Sequence, residues 1–550
     1  MATAWPSRNY DVQLRAPEGQ EEISPGRACE PPTDLSRPFT AAHTVASDEY
    51  AGLSVKAVGD ILKKELFEHI HSGRLHAGLI LLTVVTPLLV SGLVQNHKAQ
   101  VDQTARVATA FAVSLAPNAP YSYIKVRALI EPDLRQIFNA GVMPELRRDF
   151  VLSRRDDPVP NARQFIESPT QNSFAFSDAR LLFQVIFPLI AIAVSFSLVS
   201  GERENGTLRL LCANPIPRRH VILGKMVAGF FALSALLAYT HLLIVLTLRL
   251  WKVALPQGFG VMMLQYFGVN LLWVFLFFLI GIFLSALLLN SAWALTFALA
   301  TWLLIVIILP AAVPQVLTRA SRYVSQYEVY QNLFSLYGRL IRNAQELAGS
   351  VADVNFARVM EKDMACLPEY AARYVGVGKV RYGSDGSLSV RSNDEQDLAA
   401  IEGRLRRYMD ADKQIGRSIY EVQIGEFQKL VRQTESIERS TLFSPFNSYN
   451  LLTSQLSGTD IESYAQTVAK IGDMKETYFR SLESTANYVS RDYFLIRPKP
   501  QPPGSSTVWL VPMVHGGYRP SVFHAWFALI CENLLALFLT IVIFAKVDPR

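Results

Sequence analysis

The chain has 550 residues, half of them hydrophobic, with a mean hydropathy of +0.20, a formal net charge of +6 and a pI near 9.0. A soluble globular chain is usually less apolar, and here the excess is gathered into long runs, so an ordinary soluble domain is excluded. Lys and Arg stand beside those runs, a pattern that fits membrane orientation and not nucleic-acid binding. Cys29, Cys212, Cys366 and Cys531 are scattered without metal-ligand spacing, and the topology argued below leaves only Cys366 outside, so no disulfide within the chain is expected there.

Residues 1–54 are rich in Pro, Ser, Thr and charge, and read as a disordered cytoplasmic tail without the pattern of a cleaved signal peptide. Residues 55–74 place Val58, Ile61, Leu62, Leu66 and Ile70 on one helical face, opposite Asp60, Lys63, Lys64 and Glu68. That predicts an amphipathic helix on the inner membrane surface, a soluble helix packed on a domain being the alternative.

The first span covers 75–95, long enough for a hydrocarbon core of about 30 Å. Lys63, Lys64 and Arg74 ahead of it put the N-terminus in the cytoplasm. Residues 96–180 follow as a polar extracytoplasmic segment, in which Val107, Phe111 and Leu115 continue the helical spacing. The second span, 181–200, contains Pro188 and returns the chain to the cytoplasm. Residues 201–225 form a short, charged, turn-forming connection. Asn205-Gly206 makes a tight bend cheap, Thr207 can cap a short helix carrying Leu208, Leu210 and Leu211, and Pro215 stops it. A small amphipathic helix held between two spans suits passing motion to a soluble partner; an ordinary solvated loop is the alternative.

Spans three, four and five cover 226–250, 263–289 and 293–313, with Pro310 and Pro314 ending the last on the outer side. Residues 315–520 make a second outer segment, large enough for its own core. Leu333, Leu336, Leu340, Leu347 and Val351 repeat at helical spacing, as do Leu398, Ile401, Leu405 and Tyr408, then Ile415, Ile419, Val422 and Phe427. Val380 and Tyr382, then Leu388 and Val390, alternate about a Gly383-Ser384-Asp385-Gly386 turn, a hairpin signature. Span six, 522–544, brings the C-terminus inside. The expected fold is an α-helical membrane protein: six transmembrane helices with both termini cytoplasmic, plus a large, mainly helical α+β extracytoplasmic domain built from the two insertions, 96–180 and 315–520.

The run Glu202-Arg203-Glu204-x-Gly206-Thr207-Leu208, followed by Leu210-Leu211, Asn214-Pro215, Pro217-Arg218-Arg219 and Gly224-Lys225, resembles the coupling segment of ABC-2-type transporter permeases of the type V exporter fold. Ser444-Pro445-Phe446, Leu451-Leu452 and Leu456-Ser457-Gly458-Thr459-Asp460 resemble, more loosely, a subfamily with large outer loops, whose layout is similar to the permease serving maturation of nitrous oxide reductase. The resemblance implies two copies of this chain as a homodimer, with two ABC ATPase subunits beneath them in the cytoplasmic (inner) membrane of a bacterium. It also implies that the ATPases push on the coupling segment, with Leu208 and Leu211 in their groove and Glu202, Arg203 and Glu204 holding the helix at the end of span two.

The chemistry agrees with a borrowed engine. No Gly-x-x-x-x-Gly-Lys-Ser/Thr phosphate loop occurs in the sequence, so ATP and magnesium are expected in the partner subunit, with no cofactor or metal bound by this chain and no catalytic set. Leu456-Ser457-Gly458 matches the start of an ABC signature by coincidence. His97 and His515 on the outer side lack triad or ligand spacing, and Met360, Met364 and Cys366 read as packing more readily than as a soft-metal cluster. Within the spans, Glu532 and Asn533 in span six, Asn270 in span four, Gln184 in span two and His241 in span three are polar. Such groups either fix interhelical packing or line a route or the dimer seam. The expected function is an ABC-2 permease moved by a separate ATPase, for export or for movement of the extracytoplasmic domain, with lipids and an outer protein as further partners and no nucleic acid. The alternative is a membrane-anchored interaction or sensor protein whose outer domain binds a partner.

Overall fold

A computed structural model describes residues 59, 61–114, 125–141, 143–153, 158, 178–213, 217–313, 335, 380–382, 388–390, 395–484, 508–515 and 520–546. The expected tail, the Leu333–Val351 repeat, Met360, Met364, Cys366 and Pro215 lie outside the described residues, as do the side chains of Leu211 and Cys212.

Among the described residues, six helices are long and apolar enough to cross a membrane. Helix α1 (residues 61–71) leads into α2 (Gly73–Ser114) through Ser72, whose hydroxyl accepts the Leu75 amide at 3.3 Å and so caps α2. At 1.5 Å per residue, α2 runs about 63 Å, roughly twice a hydrocarbon core, so it projects well beyond one face. Span two opens with a π-helical turn (Leu181–Ile186) and continues as α3 (Phe187–Ser195). Short α4 (Ser200–Glu204) and α5 (Thr207–Ala213) precede α6 (Arg218–Leu250), α7 (Phe259–Leu287) and α8 (Ser291–Leu303).

Pro310 does not end span five, because the helix runs on to Val313. A π-helical turn, Leu304–Ile308, stands just ahead of it, as Leu181–Ile186 stands ahead of Pro188. Proline lacks the amide that would bond four residues back, and its ring crowds that carbonyl. The wider turn places the slack where the regular ladder fails.

Spans two, three and four form the interior, with 61, 61 and 56% of their most apolar windows buried, whereas spans five and six bury 17 and 22%. Two glycines set the interior spacing. A methyl on Gly281 of α7 would overlap the Ser195 hydroxyl of α3, and one on Gly229 of α6 would overlap the Phe278 ring. The backbones therefore approach as only glycine allows.

The far end of α2 carries a second core. Strand β1 (Val126–Ile130) pairs antiparallel with β2 (Asp149–Leu152). The hairpin of β3 (Val380–Tyr382) and β4 (Leu388–Val390) comes next in the chain, then α9 (Glu395–Ser440), α10 (Pro445–Leu456) and α11 (Ile461–Glu483). Strand β5 (Val508–Val511) completes the first sheet, parallel to β1, in the order β2-β1-β5. Phe150, Phe427, Tyr464, Val468, Ile471 and Val511 are its core, joining both insertions. The last span is α12 (Pro520–Lys546).

The segment 315–520 is not wholly a separate domain. Helix α10 packs into the core of the spans, where Phe446, Tyr449 and Leu452 are buried and the Tyr449 ring stacks on Trp273 of α7 at 4.8 Å. Trp273 stands about 21 Å along α7 from its Leu287 end, so α10 reaches within the depth of a hydrocarbon core of about 30 Å. The driving force is apolar area: the Phe, Tyr and Leu side chains of one short helix leave water together, at roughly 25 cal/mol per Å².

Candidate functional site

At the end of the bundle that carries α1, the regular helical bonding of span two is interrupted between α3 and α4. The break frees backbone amides, and Ser285 of α7 receives them: its hydroxyl lies 3.0 Å from both Val199 N and Ser200 N, and 3.1 Å from the Ser200 hydroxyl. Arg74, from the start of α2, donates to the Ser197 hydroxyl at 2.5 Å and stacks over Phe196. The interruption is thus pinned from two other helices.

The three charged residues that follow each secure a different element. Glu202 accepts a hydrogen bond from Lys225 of α6 at 2.8 Å, and the same ammonium donates to Glu65 of α1 at 2.6 Å. Lys225 and Glu65 are each 1% exposed, so this is a buried ion-pair cluster linking α1, α4 and α6. Arg203 donates to the carbonyls of Leu288 at 3.1 Å and Ala286 at 3.5 Å. Those are orphan carbonyls at the negative end of α7, which a cation suits. Glu204 accepts the Ser291 amide at 2.7 Å and its hydroxyl at 2.8 Å. A carboxylate on that amide caps α8 from a distant part of the chain. One triplet therefore holds the Lys225 cluster, the end of span four and the start of span five.

Gly206 then takes a left-handed φ of +71°, which turns the chain into α5. Thr207 begins α5, but its hydroxyl donates to the Glu202 carbonyl at 3.2 Å, tying α5 back to α4. The expectation that Leu208 faces a partner groove is corrected. Leu208 is 1% exposed within the chain's own core, and Leu210 is the outward apolar side chain, 73% exposed. The two residues point apart because they lie about 200° apart round a helix of 3.6 residues per turn.

The face expected of α1 is also revised. Ile61, Glu65 and His69 are the buried positions, whereas Phe67 and Ile70 stand exposed beside Lys63 and Lys64. Burial, then the nearby Lys225 charge, lowers the His69 pKa to about 4. A cavity of about 370 Å³ opens here, lined among others by Glu65, His69, Glu202, Glu204 and Lys225.

Within the spans, Asn270 is a junction. It accepts the Tyr449 hydroxyl of α10 at 2.7 Å, and its amide nitrogen lies 3.4 Å from His241 Nε2, while His241 Nδ1 lies 2.8 Å from the Leu237 carbonyl. That arrangement makes Nδ1 the donor and Nε2 the acceptor. Asn533 donates to Leu529 O at 2.8 Å along its own helix. Both Glu532 carboxyl oxygens, Asn533 Oδ1 and the Gln184 amide nitrogen are buried without a partner among the described residues. At the opposite end, His515 sits 2.9 Å from Asp133.

Sequence reasoning missed Glu65, Lys225 as an anchor, Ser285, Ser291 and Tyr449. One signal was legible: Glu65 falls four residues after Ile61, on the apolar stripe of α1, where a lone carboxylate needs a cation. Ser285, Ser291 and Tyr449 carry no distinguishing spacing.

A family model described as ABC-2 family transporter protein matches residues 60–548, which takes in every span and the sheet-bearing insertions. A search among curated proteins finds no match. The family's members are membrane-spanning permease subunits that do not themselves carry the catalysis and that work with an ATPase partner. The long match and the six apolar helices agree, and the chain belongs to the ABC-2 family of transporter proteins as a multi-pass permease subunit.

Proposed function

We propose that this permease converts ATP hydrolysis by a separate ABC ATPase, carrying ATP and magnesium, into movement of its spans, and that α4 and α5 receive the push. One observation carries the reading: Glu202 bonds α6 and, through Lys225, is linked to α1, while Arg203 and Glu204 bond the end of α7 and the start of α8, so force on this short segment reaches four helices. Leu210, exposed on α5, is the apolar contact for the ATPase groove. The segment and both termini lie in the cytoplasm, the sheet domain outside, and two copies form a homodimer with two ATPases in a bacterial inner membrane. The apolar faces left open on spans five and six supply a seam between copies and a lipid boundary.

The work done is export of a cargo, or movement of the outer domain itself. Helix α10 supports the second as well as the first, because it is wedged among the spans and would carry their motion to the sheet. Leu210→Asp, co-expressed and co-purified with the partner ABC ATPase, is the test. Full ATPase recovery with that variant would remove α5 as the contact.

A further inference from the structure

We infer that a cavity at the sheet end of α2 is a binding site for the phosphate group of an anionic amphiphile. The cavity measures about 730 Å³ and lies between α2 and the turn that leads into β2. One wall is apolar, formed by Leu93, Ile137 and Leu146, all buried. The other presents donors: Arg147, Arg148 and Gln136.

The donors lack the acceptors that would satisfy them from within. Arg148 reaches the Gln100 side-chain oxygen at a long 3.5 Å, and no carboxylate among the described residues pairs with it. Burial holds its guanidinium below the usual arginine range, with only the Tyr464 hydroxyl acting in the opposite direction. The Gln136 amide nitrogen is buried with no partner among the described residues. Arg147 spends one N–H on the Asp149 carbonyl at 2.6 Å. The Asp149 carboxylate, the acid lining the cavity, is engaged by Arg127 through Nε at 2.8 Å and through Nη2. His97, also on the wall, has its pKa lowered by burial against a smaller opposing effect from Asp133, so it adds no fixed charge. Two guanidiniums and an amide thus face a space whose acid among the described residues, Asp149, is already neutralised. A bound anion is what such a set lacks.

The depth of the cavity names the class of ligand. Leu93 to Gln100 stand about 30–40 Å along α2 from Gly73, where a hydrocarbon core of about 30 Å ends. Trp251 marks the same level: its indole donates to Ser91 at 2.9 Å, and Lys98 donates to its carbonyl at 3.0 Å. Tryptophan and lysine gather where headgroups lie. A phosphate at that level, joined to an apolar portion, matches the donor wall and the apolar wall together. The site does not depend on which partner drives the spans.

The test uses full-length protein in detergent, stripped of lipid by washing, with binding followed by native mass spectrometry. Phosphatidylglycerol, phosphatidylcholine and inorganic phosphate are offered separately and in competition. Saturable phosphatidylglycerol binding is expected, weakened about tenfold or more in Arg148→Gln and in Arg147→Gln, since each removes a charge-assisted bond. Leu93→Trp fills the apolar wall and should weaken phosphatidylglycerol while sparing phosphate. Competition by inorganic phosphate would identify free phosphate compounds as ligands. Displacement by phosphatidylglycerol alone would identify a lipid headgroup. Equal binding of phosphatidylcholine overturns the inference, as does wild-type affinity in both arginine variants with unchanged thermal unfolding.

Discussion

Replacing Lys225 by methionine should release α1 from the bundle. Lys225 stands 2.6 Å from Glu65 and 2.8 Å from Glu202, and it and Glu65 are each 1% exposed. Methionine keeps most of the volume but leaves the Glu65 carboxylate buried with its cation gone. Removing one partner of a buried pair costs about 3–5 kcal/mol, because a charge is left without compensation. Glu202 suffers less, being 17% exposed and able to turn toward water. At 1.36 kcal/mol per decade, the loss corresponds to roughly 10²- to 10⁴-fold weaker protection of amides in residues 61–71, read by hydrogen exchange on the intact protein. Adding Glu65→Gln should recover most of that protection, since the double variant leaves no unpaired charge at that position. Unchanged exchange in Lys225→Met, or a double variant worse than the single one, would refute the reasoning.

Other consequences are open to measurement. Between pH 6.5 and about 4 the unfolded chain binds a proton at His69 that the folded chain refuses, so stability rises with pH there. Lowering pH from 7 to 5 should therefore loosen α1 by about 2 kcal/mol, seen as faster exchange in residues 61–71, and His69→Gln should abolish that pH dependence. Tyr449→Phe leaves the Asn270 oxygen bare in an apolar interior, which should cost about 1–3 kcal/mol by thermal unfolding. Glu204→Ala removes the acceptor of the Ser291 amide, so exchange at the first turn of α8 should quicken; an unchanged rate would deny it the capping role. Gly281→Ala should destabilise by about 1–3 kcal/mol through its clash with Ser195, and Ser195→Gly in the same chain should restore part of the loss.

The sequence alone determined that the chain crosses a membrane several times, because a run of apolar residues long enough to cross a bilayer has few other stable fates. It also determined the turn at Asn205-Gly206 and the presence of a charged, short connection there. What it could not yield was the set of partners. Glu202, Arg203 and Glu204 looked like one cluster with one task, yet they meet Lys225, the Leu288 carbonyl and Ser291, the last two more than 80 residues away. The resemblance placed Leu208 in the partner's groove, yet packing buries it and leaves Leu210 outward. The stretch that forms helix α10 was expected in the outer segment 315–520, yet Trp273 and Asn270 of α7 give it a seat among the spans. Hydrophobic periodicity is a local property, readable over a few turns of chain. A hydrogen bond or ion pair between distant segments exists only once close packing has brought them together, and its donor and acceptor carry no mark of each other beforehand.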